Sequence, residues 1–413
     1  MRIALGLHSL QLGGSQINTV DFATELRRRG HEVLLWAIDE GSYKATIEPV
    51  AKEIGFDVHK LPAENRLRRQ ATHVSRLVDE FMADILHVHH EHHWLGPVAT
   101  LAMLSRPGKG LVVTNWMMEN THYMPPHAVL IVGTEALGRE ASARRPGPVA
   151  VIEPPVNLER DVATAEAASS FRRRVGVDDS AVLIVLVSRV DRYMKLDAIE
   201  LAIRAVEVLN SDIVHLAIVG DGDAIDDVAW MARAANRRLH RRAVHVTGAL
   251  TDPRPAYAAA DVVLGMGGSA LRGLAFGKPV VVQGAGTFAR TYRKESAPYF
   301  LEHGFFGTAE GDEAGAGLAA QMRELLDPEL RRNLGDFGRQ MIRRRYSLEV
   351  LTDRLEQVYA DTLQHPSDWL TRWTDAAYVS AYDLVGRTLS PRSRSAIRQH
   401  IPGLRGGKQT AAA

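Results

Sequence analysis

Two cations stand out by their position. Arg189 and Lys195 follow directly on an apolar run at 181–187. A strand that delivers fixed positive charges at its C-terminal end can stabilise a leaving group that gains negative charge as its bond breaks. A second stretch with anion chemistry lies at 261–282, DVVLGMGGSALRGLAFGKPVVV. It reads as a short apolar strand, a turn with Gly265, Gly267 and Gly268, a helix opening at Ser269, and Gly277-Lys278-Pro279 leading into another strand. Glycines let the backbone approach an anion, and the unpaired N–H groups of a first helical turn favour negative charge there. The N–H groups of Gly268, Ser269, Ala270 and Leu271 are the expected donors. Gly13-Gly14-Ser15 sets up a similar turn near the N-terminus, although a plain strand-to-helix connection uses the same residues.

The elements that must hold these residues alternate along the chain. A strand at 3–7, a helix at about 17–29 closed by Gly30, and a strand at 32–38 form a βαβ unit, whose right-handed crossover implies a parallel sheet. Short strands at 58–61, 85–88, 111–114, 129–132 and 149–152 continue it to Pro154-Pro155. After a polar, alanine-rich connection the alternation restarts, with strands near 181–187, 213–219, 243–247, 261–264 and 279–283. The fold class expected is α/β, two Rossmann-like doubly wound domains facing across a cleft, with a helical C-terminal extension. The boundaries expected are 1–158, 159–345, a terminal helix at 346–365 packing back on the N-terminal domain, and a basic, partly amphipathic tail at 366–413.

The totals agree with this reading. A chain of 413 residues exceeds one ordinary core, and 46% hydrophobic with 24% charged residues is the composition of a globular protein. Net charge is +1, so nothing global calls for nucleic acid, and the absence of cysteine excludes disulfides, thiolate metal sites and a thiol nucleophile. The opening MRIALGLHSL reads as a first strand rather than a leader, and no apolar run approaches the length of a membrane span. A cytoplasmic protein is expected, peripheral at a membrane if the tail engages one.

Several phrases then fall into one order: Gly13-Gly14-Ser15-Gln16, VIEPPVNLER, VSRVDRYMK, LAIVGDGD, VHVTGAL, the 261–282 stretch and RRYSLEVLTDRLEQVY. In that order they resemble the GT-B glycosyltransferases, above all the retaining glycosyltransferase family 4, over about residues 1–363. The resemblance implies a nucleoside-diphosphate-sugar donor held mainly by the C-terminal domain and a hydroxyl acceptor met mainly by the N-terminal domain, with no cofactor and no obligatory metal. It places Arg189 and Lys195 on the donor diphosphate, with one residue more between them than the commonest family spacing. Gly13, Gly14 and Ser15 would face the same diphosphate. Thr247, Gly248, Ala249 and Leu250 match the segment whose backbone borders the nucleobase, and Gly220-Asp221-Gly222 is read as a turn rather than a contact.

Three features depart from the pattern or stand beside it. The histidines of HVHHEHH, at 87, 89, 90, 92 and 93, include a pair, His89 and His93, that would share a helical face as metal ligands. Because the segment follows a strand and lacks a companion cluster, His89 or His90 is read instead as lining the acceptor side. Thr114-Asn115-Trp116 stands where the family has Thr-x-His, leaving Trp116 either to stack on a sugar or to pack. The paired glutamates of the family are missing: Arg272 holds the second position, and the loop for the first is shortened to 265–268. An arginine cannot accept ribose hydrogen bonds, and would reach a phosphate or a carboxylate.

The function expected is transfer of a sugar to an acceptor hydroxyl, with retention implied by the resemblance alone. Two alternatives stand beside it: a catalytically weakened subunit supporting a partner transferase, and a nucleotide-sugar epimerase. For the tail, a solvated segment or a contact with a second copy of the chain is expected ahead of contact with an anionic membrane surface.

Overall fold

The computed structural model describes residues 1–41, 43, 45–89, 95–120, 124–192, 195–312 and 315–388. The chain divides into two compact units, residues 1–155 with 348–413, and residues 156–347.

In the first unit the strands are β1 (Arg2–Leu7), β2 (Glu32–Asp39), β3 (His59–Pro62), β4 (Ile85–His89), β5 (Gly110–Asn115), β6 (Val129–Val132) and β7 (Val149–Val151). Its helices before the crossover are α1 (Gly14–Arg28), α2 (Glu48–Glu53), α3 (Leu67–Glu80), α4 (Leu95–Met103) and α5 (Glu135–Arg144). The sheet order is β3-β2-β1-β4-β5-β6-β7, all pairs parallel. Strands covered by helices on both faces are buried in both directions, and β4 is buried at every position from Ile85 to His89, its two histidines included. One core packs Val74, Leu77, Val88 and Val98 on one face; the other packs Ile3, Leu5, Val20 and Leu26.

The second unit begins with α6 (Ala165–Val175), β8 (Val182–Val187), α7 (Leu196–Leu209), β9 (Val214–Val219), α8 (Ile225–Arg238) and β10 (Val244–Gly248). It continues through α9 (Arg254–Ala259), β11 (Val262–Gly265), α10 (Gly268–Ala275), β12 (Val280–Gln283), β13 (Ala285–Gly286) and β14 (Ala289–Thr291). It closes with α11 (Ala297–His303), β15 (Thr308–Ala309), α12 (Ala316–Glu324), α13 (Pro328–Met341) and a π-helical turn at Ile342–Tyr346. The main sheet runs β10-β9-β8-β11-β12-β14. Its last strand is antiparallel, and β13 pairs with β15 in a small separate ribbon. Neither feature shows in the apolar periodicity, because these strands are only two or three residues long.

Two more helices belong to the first unit, α14 (Leu348–Gln364) and α15 (Trp369–Thr388). Leu351, Leu355 and Tyr359 of α14 enter the core formed with β1 and α1. Arg29, the C-cap of α1, fastens it, reaching Glu356 at 2.6 Å and the carbonyl of Glu349 at 2.9 Å. On α15, Asp375 is buried and accepts from the backbone N–H groups of His127 and Ala128 at 3.0 and 3.1 Å. Among the described residues no helix is long and apolar enough to cross a membrane.

Candidate functional site

In the second unit, the strand order reverses between β8 and β11, which lie side by side with Ile184 opposite Val262 and Leu186 opposite Leu264. Ligands of open α/β sheets bind beyond the C-terminal ends of strands at such a reversal. The segment leaving β8 carries Arg189, with Lys195 at the start of α7, and the segment leaving β11 is the Gly267 turn that opens α10. Strand order therefore brings together two stretches that are some seventy residues apart in the chain.

The Arg189 segment is held by the next strand's turn. Ser188 N–H donates to the Val219 carbonyl and Val190 N–H to the Asp221 carbonyl, both at 3.0 Å; the Val190 carbonyl accepts from Ala224 N–H at 3.0 Å. Gly220 N–H in turn donates to the Gly248 carbonyl of β10 at 3.0 Å. The turn has room for this only because Gly220 and Gly222 carry no side chain. A Cβ on Gly220 would lie 1.7 Å from the Ser188 carbonyl oxygen, and one on Gly222 2.2 Å from that of Val190. Gly220 also has φ of +149°, outside the range of ordinary side-chain-bearing residues. The Gly-Asp-Gly turn is thus a clamp on the Arg189 segment.

Arg189 is exposed, and its guanidinium has no partner among the described residues. Lys195 is partly buried, and its Nζ likewise has none. Burial lowers the Lys195 pKa to about 8, with Asp191 opposing that shift and Arg189 adding to it. Two neighbouring cations, one of them desolvated, form a locus that gains from an incoming anion, because the anion removes the mutual repulsion. Lys278 of Gly277-Lys278-Pro279 is different: its Nζ donates to the Ala258 carbonyl at 2.8 Å and ties the start of β12 to α9.

At α10 the expected donors divide. Leu271 N–H is used by the Gly267 carbonyl at 3.1 Å and Ser269 N–H by that of Met266 at 3.3 Å. The Ser269 hydroxyl donates to the same Met266 carbonyl at 3.0 Å and accepts from Met266 N–H at 3.1 Å, tightening the turn. The N–H groups of Gly268 and Ala270 have no partner among the described residues. Gly267 and Gly268 are exposed, with open space where a Cβ would stand. Arg272 turns to a carboxylate, its Nε 3.4 Å from Oδ2 of buried Asp161. Asp161, unremarkable in the sequence, is the residue that reading the chain alone misses; the separation of 111 positions leaves no local signal.

The end of β10 is irregular, with a register shift between Val246 and Gly248 and φ of +73° at Gly248. The Thr247 hydroxyl folds back on the Gly248 carbonyl at 3.0 Å. Ala249 is exposed, and Leu250 packs against the core shared by α6 and α9.

In the first unit, Gly13 caps α1 in extended conformation, and Ile17 N–H closes on its carbonyl at 3.1 Å. The N–H groups of Gly14 and Ser15 have no partner among the described residues. The Ser15 hydroxyl donates to Gln16 at 3.2 Å, while buried Gln16 lies 2.7 Å from His8 Nε2 and donates to Ser9 at 3.0 Å. This small polar network shapes the turn. His87 is buried, its nitrogens 2.6 Å from the Tyr359 hydroxyl and 2.7 Å from the Thr114 hydroxyl, and burial holds its pKa well below the usual imidazole value. His89 is also buried, near the Gly6 carbonyl at 3.3 Å, with its ring 4.7 Å from that of His87 and 5.1 Å from that of Trp116. Trp116 donates its indole N–H to the Ile152 carbonyl at 2.9 Å and stacks on Phe22 at 6.3 Å. Trp116 is half-buried, so it packs on one side and leaves part of its ring exposed. His90, His92 and His93 lie outside the described residues, among which no group of three metal-ligating side chains forms.

Comparison with known proteins bears on both units. A family described as Glycosyltransferase Family 4 matches residues 12–160, and one described as Glycosyl transferases group 1 matches residues 181–327. Among solved structures, a glycosyltransferase from Rickettsia africae aligns at a TM-score of 0.68 and 14% identity, over 89% of this chain and 99% of that one. HepE of Anabaena in complex with UDP-glucose aligns at 0.65 and 18%, over 88% and 99%. A putative UDP-N-acetylglucosamine 2-epimerase from Listeria monocytogenes aligns at 0.60 and 13%, over 89% and 98%. At these identities the structural likeness establishes the two-domain GT-B fold. No curated protein matches the sequence.

Proposed function

We propose that this chain, a glycosyltransferase of GT-B fold with family 4 and group 1 domains, moves a sugar from a nucleoside-diphosphate sugar to an acceptor hydroxyl, with retention and without a metal ion. The observation that carries the proposal is the juxtaposition at the β8–β11 reversal of two unpartnered cations with the open first turn of α10. Arg189 and Lys195 meet the charge that develops on the departing diphosphate, and the Gly268 and Ala270 N–H groups add fixed dipoles. Because the backbone that carries Arg189 is held by the Gly220–Gly222 turn before substrate arrives, less reorganisation opposes the step. The donor phosphate then takes the acceptor proton, and the protein's work is positioning and leaving-group stabilisation.

UDP is the first nucleotide to test, since HepE was crystallised with UDP and with UDP-glucose. The experiment is a thermal-shift series with UDP, GDP, ADP and TDP, followed by hydrolysis or transfer assays with the matching sugar nucleotide. The expected result is stabilisation by one nucleotide, lost in Arg189→Ala, and turnover reduced by about a hundred- to a thousandfold in that variant. No shift with any nucleotide at millimolar concentration would sink the donor site.

One observation favours a second reading. Arg272, at the position of a family glutamate, is engaged by Asp161. A chain that binds nucleotide yet neither hydrolyses nor transfers from any sugar nucleotide would be a supporting subunit rather than the working transferase.

A further inference from the structure

One motif of the sequence has no part in the transfer step: RRYSLEVLTDRLEQVY, at 344–359. Its first tyrosine stands behind the α10 turn. The π-helical turn at Ile342–Tyr346 buries Ile342 and Tyr346, while Arg343 and Arg344 between them face solvent. Both buried side chains enter the core that also holds Phe305 and, from α10, Ala270, Leu271 and Leu274. The Tyr346 ring meets that of Phe305 edge-on, with centroids 5.7 Å apart and planes at 82°. Phe300 stacks on Phe305 at 5.5 Å, and the Tyr292 ring lies 5.4 Å away. A ring held on several sides in a close-packed interior has one seat, and the backbone that carries it is fixed with it.

That backbone reaches the candidate donor site. The Phe305 carbonyl accepts from Gly267 N–H at 2.6 Å. Gly267 is the N-cap of α10, with φ of +53° and ψ of −128°, and its own residue type supplies no side-chain cap. The start of the helix is therefore set from outside it. Gly268 and Ala270, whose N–H groups have no partner among the described residues, follow at once. Where Gly267 begins the helix decides where those two dipoles point. A shift of Phe305 loosens the Gly267 bond and re-aims both donors.

The ring contact can be removed without releasing the chain around it. Tyr346 is also held by its backbone: its carbonyl accepts from Val156 N–H at 2.8 Å, and Val156 pairs with Ser347 in a parallel bridge. Truncating the side chain leaves these groups in place and takes away only the edge-on support of Phe305.

We infer that Tyr346 is a positioning residue for the donor diphosphate, acting through the Phe305 carbonyl on the Gly267 turn. This role rests on the donor-site reading under Proposed function.

The test compares wild type with Tyr346→Ala, Tyr346→Phe and Phe171→Ala. Phe171 of α6 is buried in the same core, so its truncation makes a cavity there while the Tyr346 and Phe305 rings are kept. Amide hydrogen exchange across Gly267–Leu271 is read in the free protein. Affinity is read by titration calorimetry for UDP, or for whichever of GDP, ADP and TDP binds in its place. In Tyr346→Ala, exchange at Gly267 should be at least about tenfold faster and nucleotide binding about tenfold weaker. Tyr346→Phe, which keeps the ring edge, should restore both. Phe171→Ala should lower the thermal midpoint and leave both at their wild-type values. Unchanged exchange or unchanged affinity in Tyr346→Ala would overturn the inference, as would equal changes in Phe171→Ala, which would reduce the effect to general loosening of the core. A wild type that binds none of the four nucleotides while Gly267 exchange responds as expected would instead sink the donor-site reading, and this role with it.

Discussion

The clamp on the Arg189 segment invites a direct perturbation, Gly222→Ala. Gly222 does not occupy the positive-φ region, so alanine is compatible with its backbone, and the effect is steric. The new methyl would stand 2.2 Å from the Val190 carbonyl oxygen and 2.6 Å from its carbon. Contacts below 3.0 Å are not tolerated, so the two segments must separate by about 0.8 Å or more. Val190 follows Arg189, and its carbonyl holds Ala224, so the displacement is delivered to the cation and to the turn that supports it. Misplacement of a reacting group by ~1 Å costs about a hundredfold in rate. The substitution should therefore lower kcat by about one to two orders of magnitude. Val190 and Ala224 are fully buried in the core, so the shift also loosens packing and the thermal midpoint should fall, an effect offset in part by alanine's restriction of the unfolded chain, about 0.4–1 kcal/mol. The assay is turnover of the matching sugar nucleotide, with nucleotide-induced thermal shift and the unliganded thermal midpoint as companions. Turnover within twofold of wild type in a folded Gly222→Ala protein would refute the idea that this turn positions Arg189.

Other consequences follow from the same geometry. With a pKa of about 8, Lys195 is charged below that pH, so kcat/KM for the donor should fall as pH rises through about 8, and Lys195→Arg should remove the inflection. His245 lies 3.1 Å from His215 and is buried, with its pKa lowered to about 4 by that burial and then by His215, Arg242 and Arg241. The unfolded chain therefore binds the proton more readily, and stability should be lost as pH drops below about 6.5, by about 2 kcal/mol at pH 5. His245→Phe should flatten that stretch of the pH–stability curve; an unchanged curve would exclude His245 as its source. Asp161→Asn should cost about 1–3 kcal/mol by weakening the Arg272 interaction, seen as a lower thermal midpoint. Nucleotide affinity should remain as in wild type if Arg272 serves only the fold, whereas a fivefold change would place its guanidinium on the ligand.

Much of the fold was legible because parallel strands covered on both faces write continuous apolar runs into the chain. Val182–Val187 is an example, closed by a polar turn, and Val214–Val219 departs from it only at His215. The edge strand β14 and the β13–β15 ribbon were not legible, being too short for a periodic signal. At the candidate site, residue types singled out Arg189, Lys195 and the α10 turn as candidates, although glycines and cations at strand ends also serve structure, as Gly220, Gly222 and Lys278 do. Their environment did not follow from type. That Trp116 packs among Phe22, His89 and the Ile152 carbonyl could not be read from its type.

The sequence by itself determined the alternation of strands and helices, the glycine turns and the order of motifs, because each depends on neighbours within a few residues. Only the tertiary structure decided that β8 and β11 adjoin, that Gly220 and Gly222 are bare to admit the carbonyls of Ser188 and Val190, and that Arg272 faces Asp161. These are meetings of residues far apart in the chain. Apolar periodicity records that a side chain is buried; which distant group it is buried against is settled by strand order and packing.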